Sequence, residues 1–219
     1  MISLAEKPFK SIQGEGKTQG VNSLFIRFTD CNLRCNLCDS KHTWKKDGAF
    51  EIELEDLISV VKDNSNIVFT GGEPLLSNNL SIIKYIIEEV PDNTYEIETN
   101  GTISLSDEDE TFFKLYSVLF NISPKGNFFK EGNTEPLLLN NDVTCIVKFL
   151  YEDDTDMRYI ESIVAKYELT NNMVWVQPKG IYSKDLKKTI VDNFNYIISK
   201  GYNISIRSHI FLFENKKEI

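Results

Sequence analysis

Apolar residues along this chain follow two spacings in turn. Residues 23–28 alternate with period two, which puts Leu24, Ile26 and Phe28 on one face of a strand and Phe25 and Arg27 on the other. Residues 53–62 carry Leu54, Leu57, Ile58 and Val61 at i, i+3, i+4 and i+7, the stripe of an amphipathic helix. The two patterns then succeed one another. Strands are predicted at 66–70, 95–99, 118–122, 143–150, 173–177 and 203–207, and helices at 79–90, 108–116, 157–167 and 186–199. Residues 126–141 have no helical period and read as a loop where a helix would complete the pattern. Strands alternating with helices predict an α/β fold with a parallel sheet and right-handed crossovers. Six or seven such units, short of eight, point to an open, partial β/α barrel with shortened helical crossovers, built as one domain over residues 1–219.

Ligands of such sheets bind beyond the carboxyl ends of the strands. The polar motifs fall there: the loop after residue 28, Thr70-Gly71-Gly72-Glu73, Glu98-Thr99-Asn100, Ser123-Pro124-Lys125 and Gln177-Pro178. The first contains Cys31, Cys35 and Cys38 in a C-x3-C-x2-C spacing. Thiolates are soft ligands suited to iron–sulfur clusters, zinc or copper(I). A four-iron cluster normally takes four thiolates, so a loop with three leaves one iron open to an exogenous ligand. A structural zinc site is closed by four ligands, and His42 is near enough in sequence to be the fourth. Cys145, inside an apolar run, reads as a packed small hydrophobe. Arg27 in an apolar strand either meets a protein carboxylate or awaits an anionic ligand. Residues 11–16, Ser-Ile-Gln-Gly-Glu-Gly, read as a turn. Glu98 either caps the rim of the sheet or reaches a ligand, His209 is either structural or functional, and the acidic residues 107–110 read as a solvated helix start.

Lys and Arg number 24 against 33 Asp and Glu, a net charge of −9, which excludes a broad basic footprint for nucleic acid. No run reaches the roughly 18 apolar residues of a membrane span, and the first residues lack a signal-peptide layout. Clustered cysteines without an export signal predict a reducing compartment, the cytoplasm, and metal binding in place of disulfides.

The cysteine spacing after a first strand, with Gly71-Gly72-Glu73-Pro74 after the second, resembles the radical S-adenosylmethionine (SAM) superfamily. That resemblance implies a 4Fe–4S cluster on Cys31, Cys35 and Cys38 whose open iron binds SAM. Leu37 stands where the superfamily often has an aromatic residue. Residues 11–16, Arg27 and the run from Cys38 to Trp44 are similar to the 7-carboxy-7-deazaguanine synthase family. This implies a carbon–nitrogen lyase that turns 6-carboxy-5,6,7,8-tetrahydropterin into 7-carboxy-7-deazaguanine with loss of ammonia. The product is a precursor of queuosine and other 7-deazapurines in tRNA modification. Magnesium, a homodimer and an electron donor of flavodoxin or ferredoxin type are also implied, with no nucleic acid or membrane as partner. Carried over by position, Ser40 would bind magnesium. Leu37, Cys38, Asp39, Gly72, Glu73, Thr99, Ser123, Pro124, Lys125 and Gln177 would bind SAM. Ile12, Gln13, Gly14, Glu15, Arg27, Thr70 and His209 would bind substrate, and no acid or base is assigned. The alternatives are another radical SAM enzyme, such as a glycyl-radical activating enzyme, and a non-catalytic zinc module.

Overall fold

The alternating run at residues 23–28 is a strand in the first of two units into which the chain divides in this computed structural model. The first unit comprises residues 1–11 and 22–144, the second residues 12–21 and 145–219; the residues described are 1–36, 38–125 and 143–214. In chain order the first unit holds β1 (Ile2–Leu4), β2 (Phe9–Ile12, which ends at the boundary), β3 (Asn22–Phe28), β4 (Phe50–Ile52), α1 (Leu54–Lys62), β5 (Asn66–Gly71), α2 (Ser77–Glu89), β6 (Thr94–Thr99), α3 (Asp107–Leu115) and β7 (Leu119–Ile122). Strands β3, β5, β6 and β7 are parallel neighbours in that order. An edge the sequence pattern does not announce lies beside them. β1 pairs antiparallel with both β3 and β4, and β2 pairs with β3. β1 and β4 span three residues each, too short for a period-two signal.

Leu24, Ile26 and Phe28 are at most 1% exposed, as the alternation requires, and Ile67, Phe69, Tyr95, Ile97 and Phe120 continue the same core. The helices add Leu57, Val61, Ile83, Ile86, Ile87 and Phe113. Aromatic pairs fill the centre: Phe69 and Tyr95 stack at 5.8 Å, and Phe113 meets Phe120 edge-on at 5.1 Å. On the opposite face of β3, Phe9 stacks on Phe25 at 5.2 Å and lies 5.9 Å from the Arg27 guanidinium. The acidic run is the first turn of α3, capped by Ser106 in a reciprocal box with Asp109.

The second unit holds β8 (Cys145–Tyr151), α4 (Asp154–Lys166), β9 (Val174–Pro178), α5 (Ser183–Ser199), β10 (Asn203–Ile204) and α6 (Ser208–Phe213). β8, β9 and β10 are parallel neighbours. The strand expected at 203–207 stops at Ile204, because Arg207 takes a left-handed φ of 58° and Ser208 begins α6. The strand expected from 143 starts at Cys145. The loop expected at 126–141 lies outside the described residues. Within each unit the described parallel strands follow a linear order, in keeping with the expected open α/β arrangement.

Phe120 is fully buried, so Phe120→Ala is expected to cost about 3–5 kcal/mol. Urea unfolding would read this as a lower midpoint at unchanged slope; an unchanged midpoint would contradict the packing.

Candidate active site

The chain leaves β3 through Asp30, whose φ of 65° is left-handed, a region aspartate tolerates better than most residues. Asp30 N–H donates to the Thr43 carbonyl at 2.7 Å and so pinches the cysteine loop at its neck. Inside the loop, Cys38 N–H donates to the Cys35 carbonyl at 3.2 Å, and the Thr43 N–H and hydroxyl both reach the Ser40 carbonyl, at 2.9 and 2.8 Å. The Arg34 guanidinium donates to the Cys31 and Leu33 carbonyls and lies 5.4 Å from the Trp44 ring centre. His42 is exposed, and Leu37 lies outside the described residues.

The second motif closes on that neck. Gly72 N–H donates to the Phe28 carbonyl at 3.1 Å and Glu73 N–H to the Asp30 carbonyl at 2.8 Å. A Cβ on Gly72 would sit 1.7 Å from the Asp30 carbonyl oxygen, so only glycine lets the turn close there. Glu73 is fully buried. Its carboxylate accepts from the Leu75 N–H at 3.0 Å, the Thr99 hydroxyl at 2.7 Å and the Asn100 N–H at 2.9 Å. Asn100 in turn donates from Nδ2 to Asn32 Oδ1 at 3.0 Å and stands 4.0 Å from Cys31 Sγ. Its Oδ1 accepts from the Thr102 N–H and hydroxyl at 2.9 and 2.6 Å. Hydrogen bonds thus run from the Gly-Gly-Glu turn, through the end of β6, to the first cysteine. Ser123 N–H donates to the Thr99 carbonyl at 2.8 Å, which brings the end of β7 to the same place.

Burial pushes the Glu73 carboxyl upward, against the pull of the Asn100 N–H, the Thr99 hydroxyl, the Leu75 N–H and the Lys125 charge. Burial likewise pushes the Cys31 thiol up. The Leu33 N–H opposes it, and Glu73, Cys35 and Cys38 add to it. Cys35 is raised by burial and eased by Lys125. Lys125 is therefore a cation whose charge reaches both the Cys35 thiol and Glu73. In the other unit Cys145, pushed up to about 11 by burial alone, behaves as a packed thiol. Among the described residues no three His, Cys, Asp or Glu side chains converge on a single-ion cage. One tetrahedral zinc would gather its sulfurs to roughly 3.8 Å, given a bond of about 2.3 Å. A multi-iron cluster binds each thiolate at a different iron and spaces them wider. Three soft thiols on one pinned loop, beside an N–H donor and a cation, make a donor set of the kind such a cluster takes. Loading it would release the thiol protons.

Other expected residues of this unit have partners within it. The Thr70 hydroxyl donates to Glu98 at 2.8 Å, and that of Ser40 to Asp39 at 3.0 Å. Arg27 meets a protein carboxylate, with its Nε 2.6 Å from Glu6. Register aligns Arg27 with Thr70 and Glu98 with Asn121. Asn121 is fully buried, donates to Glu96, and has no partner for its Oδ1 among the described residues. Asn121 and Glu96 were not anticipated, although each is a polar residue inside an apolar strand, the same signal that singled out Arg27.

The second unit gathers the remaining group. Residues 13–16 form a buried turn. Gln13 is 2% exposed, its N–H and carbonyl bond Val21 and Gly20, and its Oε1 accepts from Glu15 N–H at 3.1 Å. Gly14 lies under the His209 ring, since a Cβ there would meet Nδ1 at 1.8 Å, and its carbonyl accepts from Ser208 N–H at 2.9 Å. Gly16 N–H donates to Ser205 Oγ at 2.9 Å, which donates to Gln177 Oε1 at 3.0 Å. Glu15 receives Lys148 Nζ on Oε2 at 2.6 Å and Arg207 Nε on Oε1 at 3.1 Å. Burial pushes the Glu15 carboxyl up, but Lys148, Arg207 and His209 overcome it and hold the group well below the usual carboxylate range. Gln13, Gly14, Glu15, Gln177 and His209 are thus assembled in one unit, with Ile12 ending β2 just ahead of them. Lys148, Ser205 and Arg207 complete the group and were not anticipated. A lysine inside Ile146-Val147-Lys148-Phe149 was the available signal.

Comparison with known proteins shows the family and the fold. Residues 25–126 match the family model for the Radical SAM superfamily. The chain is 32% identical to 7-carboxy-7-deazaguanine synthase of Clostridium acetobutylicum over 193 residues, 84% of each chain. It is 31% identical to the Thermoplasma acidophilum protein of the same name over 205 residues, 92% of each chain. The crystal structure of QueE from Escherichia coli matches with a TM-score of 0.70 at 22% identity, covering 93% of this chain and 92% of that one, which shows a common fold. The superfamily implies a 4Fe–4S cluster and SAM.

The Gly72→Ala variant is expected to push Asp30 and the neck of the cysteine loop aside. After anaerobic reconstitution it should retain several-fold less iron and labile sulfide than the unaltered protein; equal retention would contradict the role given to Gly72.

Proposed function

Because the chain belongs to the 7-carboxy-7-deazaguanine synthase family of radical SAM proteins, we propose that it converts 6-carboxy-5,6,7,8-tetrahydropterin to 7-carboxy-7-deazaguanine and ammonia. The observation that carries this reading is identity above 30% across most of both chains with relatives of that name. The unit residues are read as one catalytic domain over 1–219.

In this reading Cys31, Cys35 and Cys38 hold a 4Fe–4S cluster, and Glu73 and Asn100 keep their loop in place. When bound, the cluster and SAM supply the electron and the radical that open the reaction at the substrate's C6. Leu37, Cys38, Asp39, Gly72, Glu73, Thr99, Ser123, Pro124 and Gln177 line the SAM site, and the Lys125 cation suits the SAM carboxylate. Gln13 and Glu15 read the pterin edge with an amide and an acceptor-only carboxylate. Ile12, Gly14, Thr70 and His209 border the ring, and Arg27 holds the substrate carboxylate. Ser40 would offer one oxygen to magnesium, a cation that is commonly held by few protein ligands. Bound there, magnesium would supply Lewis-acid charge at the substrate carboxylate held by Arg27. The elimination involves no net oxidation, so the reductant, a flavodoxin or ferredoxin, primes the reaction. The product feeds queuosine and other 7-deazapurines for tRNA modification. The active form is read as a cytoplasmic homodimer that engages neither nucleic acid nor membrane. No helix among the described residues is long and apolar enough to cross a bilayer.

Anaerobic incubation with dithionite, SAM, magnesium and the carboxypterin should yield 7-carboxy-7-deazaguanine by mass spectrometry. SAM cleavage without a deazapurine would point to a different radical SAM reaction, and one zinc without iron would end the enzyme reading. For Ser40→Ala, turnover should fall and its magnesium dependence should flatten; unchanged turnover and dependence would remove Ser40 as a ligand.

A further inference from the structure

Two cations converge on Glu15, and the proposed reaction gives neither of them a part. Lys148 projects from β8 with its side chain 6% exposed, and Arg207 lies between β10 and α6 with its side chain 10% exposed. Lysine and arginine are rarely this buried unless paired. Each takes a different oxygen of the one carboxylate. Arg207 is itself fixed by a left-handed backbone and by donation from Nη1 to the Gly180 carbonyl at 2.6 Å. The neighbouring Gly16–Ser205–Gln177 hydrogen bonds lock the same turn. A carboxylate clamped this way cannot rotate, and it presents its remaining lone pairs in set directions.

The charge state matters as much as the direction. An ionised carboxylate only accepts hydrogen bonds, whereas a protonated one also donates. The 2-amino group and ring N–H of a 2-amino-4-oxopyrimidine edge are two adjacent donors, which match an ionised acceptor and clash with a protonated one. We propose that Lys148 and Arg207 are positioning residues that hold Glu15 as an oriented acceptor, selecting ligands with the paired N–H donors of a 2-amino-4-oxopyrimidine edge. The inference rests on the reading of Glu15 as a pterin contact.

Among the described residues, the charged or titratable groups facing Glu15 are Lys148 from β8, Arg207 ahead of α6 and His209 from α6. With Lys148 removed, the upward push of burial loses its strongest opponent. Glu15 then takes up a proton as pH falls, and ligand affinity falls with it.

The test measures anaerobic equilibrium binding of the carboxypterin and of its 2-deamino analogue between about pH 5.5 and 8. It uses cluster-loaded protein with SAM and no reductant, alongside KM and kcat. Unaltered protein should bind the amino form with a flat pH profile and discriminate against the deamino form. Lys148→Met should bind the amino form about tenfold more weakly at the acid end than at the alkaline end. Its discrimination should narrow, with the loss in KM and not in kcat. Lys148→Arg should restore the flat profile. Glu15→Gln, which stays neutral at every pH and makes no demand on Lys148 for folding, should lose discrimination without any pH dependence. If Lys148→Met and Glu15→Gln bind and discriminate like the unaltered protein, the inference is overturned while the proposed function stands. If the unaltered protein binds no carboxypterin, the function fails and takes the inference with it.

Discussion

Glu73 is a carboxylate with no access to water, and the cysteine loop depends on how that carboxylate is satisfied. A buried acceptor left unpaired would cost several kcal/mol (about 1–3, and more for a charged group). Its donors come from the Gly-Gly-Glu turn and from the end of β6, so satisfying it ties those two segments together. The turn already grips the carbonyls of Phe28 and Asp30, and Asn100 extends the tie to Asn32 and the edge of Cys31. The loop is thereby held at its neck and at its first cysteine, by backbone and by neutral side chains. A loop so anchored can present three thiolates without a fourth protein ligand closing the set.

Two glutamates, Glu73 and Glu15, resolve burial in opposite ways. Glu73 is met by N–H and hydroxyl dipoles, and burial still leaves its carboxyl raised. Glu15 is met by two full positive charges, which reverse the effect of burial. Dipoles suffice where the task is to join backbone segments. Paired cations keep a carboxylate charged in a place where water cannot, a property useful to a group that must accept hydrogen bonds from a ligand. One carboxylate joins backbone segments through dipoles, and the other is held ionised by two cations.

The parts of this arrangement that are local in sequence were legible in it. The alternation in β3 gave the correct buried face, the helical stripes located α1 and α2, and the cysteine and Gly-Gly-Glu motifs marked the ends of β3 and β5. What was hidden is non-local or too short to carry a period. β1 and β4 have too few residues to alternate visibly, and the left-handed Arg207 turned an expected strand into the start of α6. Glu15 lies 133 residues from Lys148 and 192 from Arg207, a separation no spacing rule bridges. Gly72 was expected among the SAM-binding residues, and its immediate demand is to clear the Asp30 carbonyl. Gln13 and Gly14 looked like a turn and are one, but the turn is buried because His209 folds over it.

The central claim is that the pinned loop holds a four-iron cluster with one iron lacking a protein ligand. Mössbauer spectra of protein reconstituted with iron-57, recorded with and without SAM, address it most directly. The account predicts a cubane signal in which a single iron subsite changes its isomer shift when SAM is added, while the others stay the same. A cluster whose subsites are all unmoved by SAM, or a loop that takes up zinc and no iron, would contradict it.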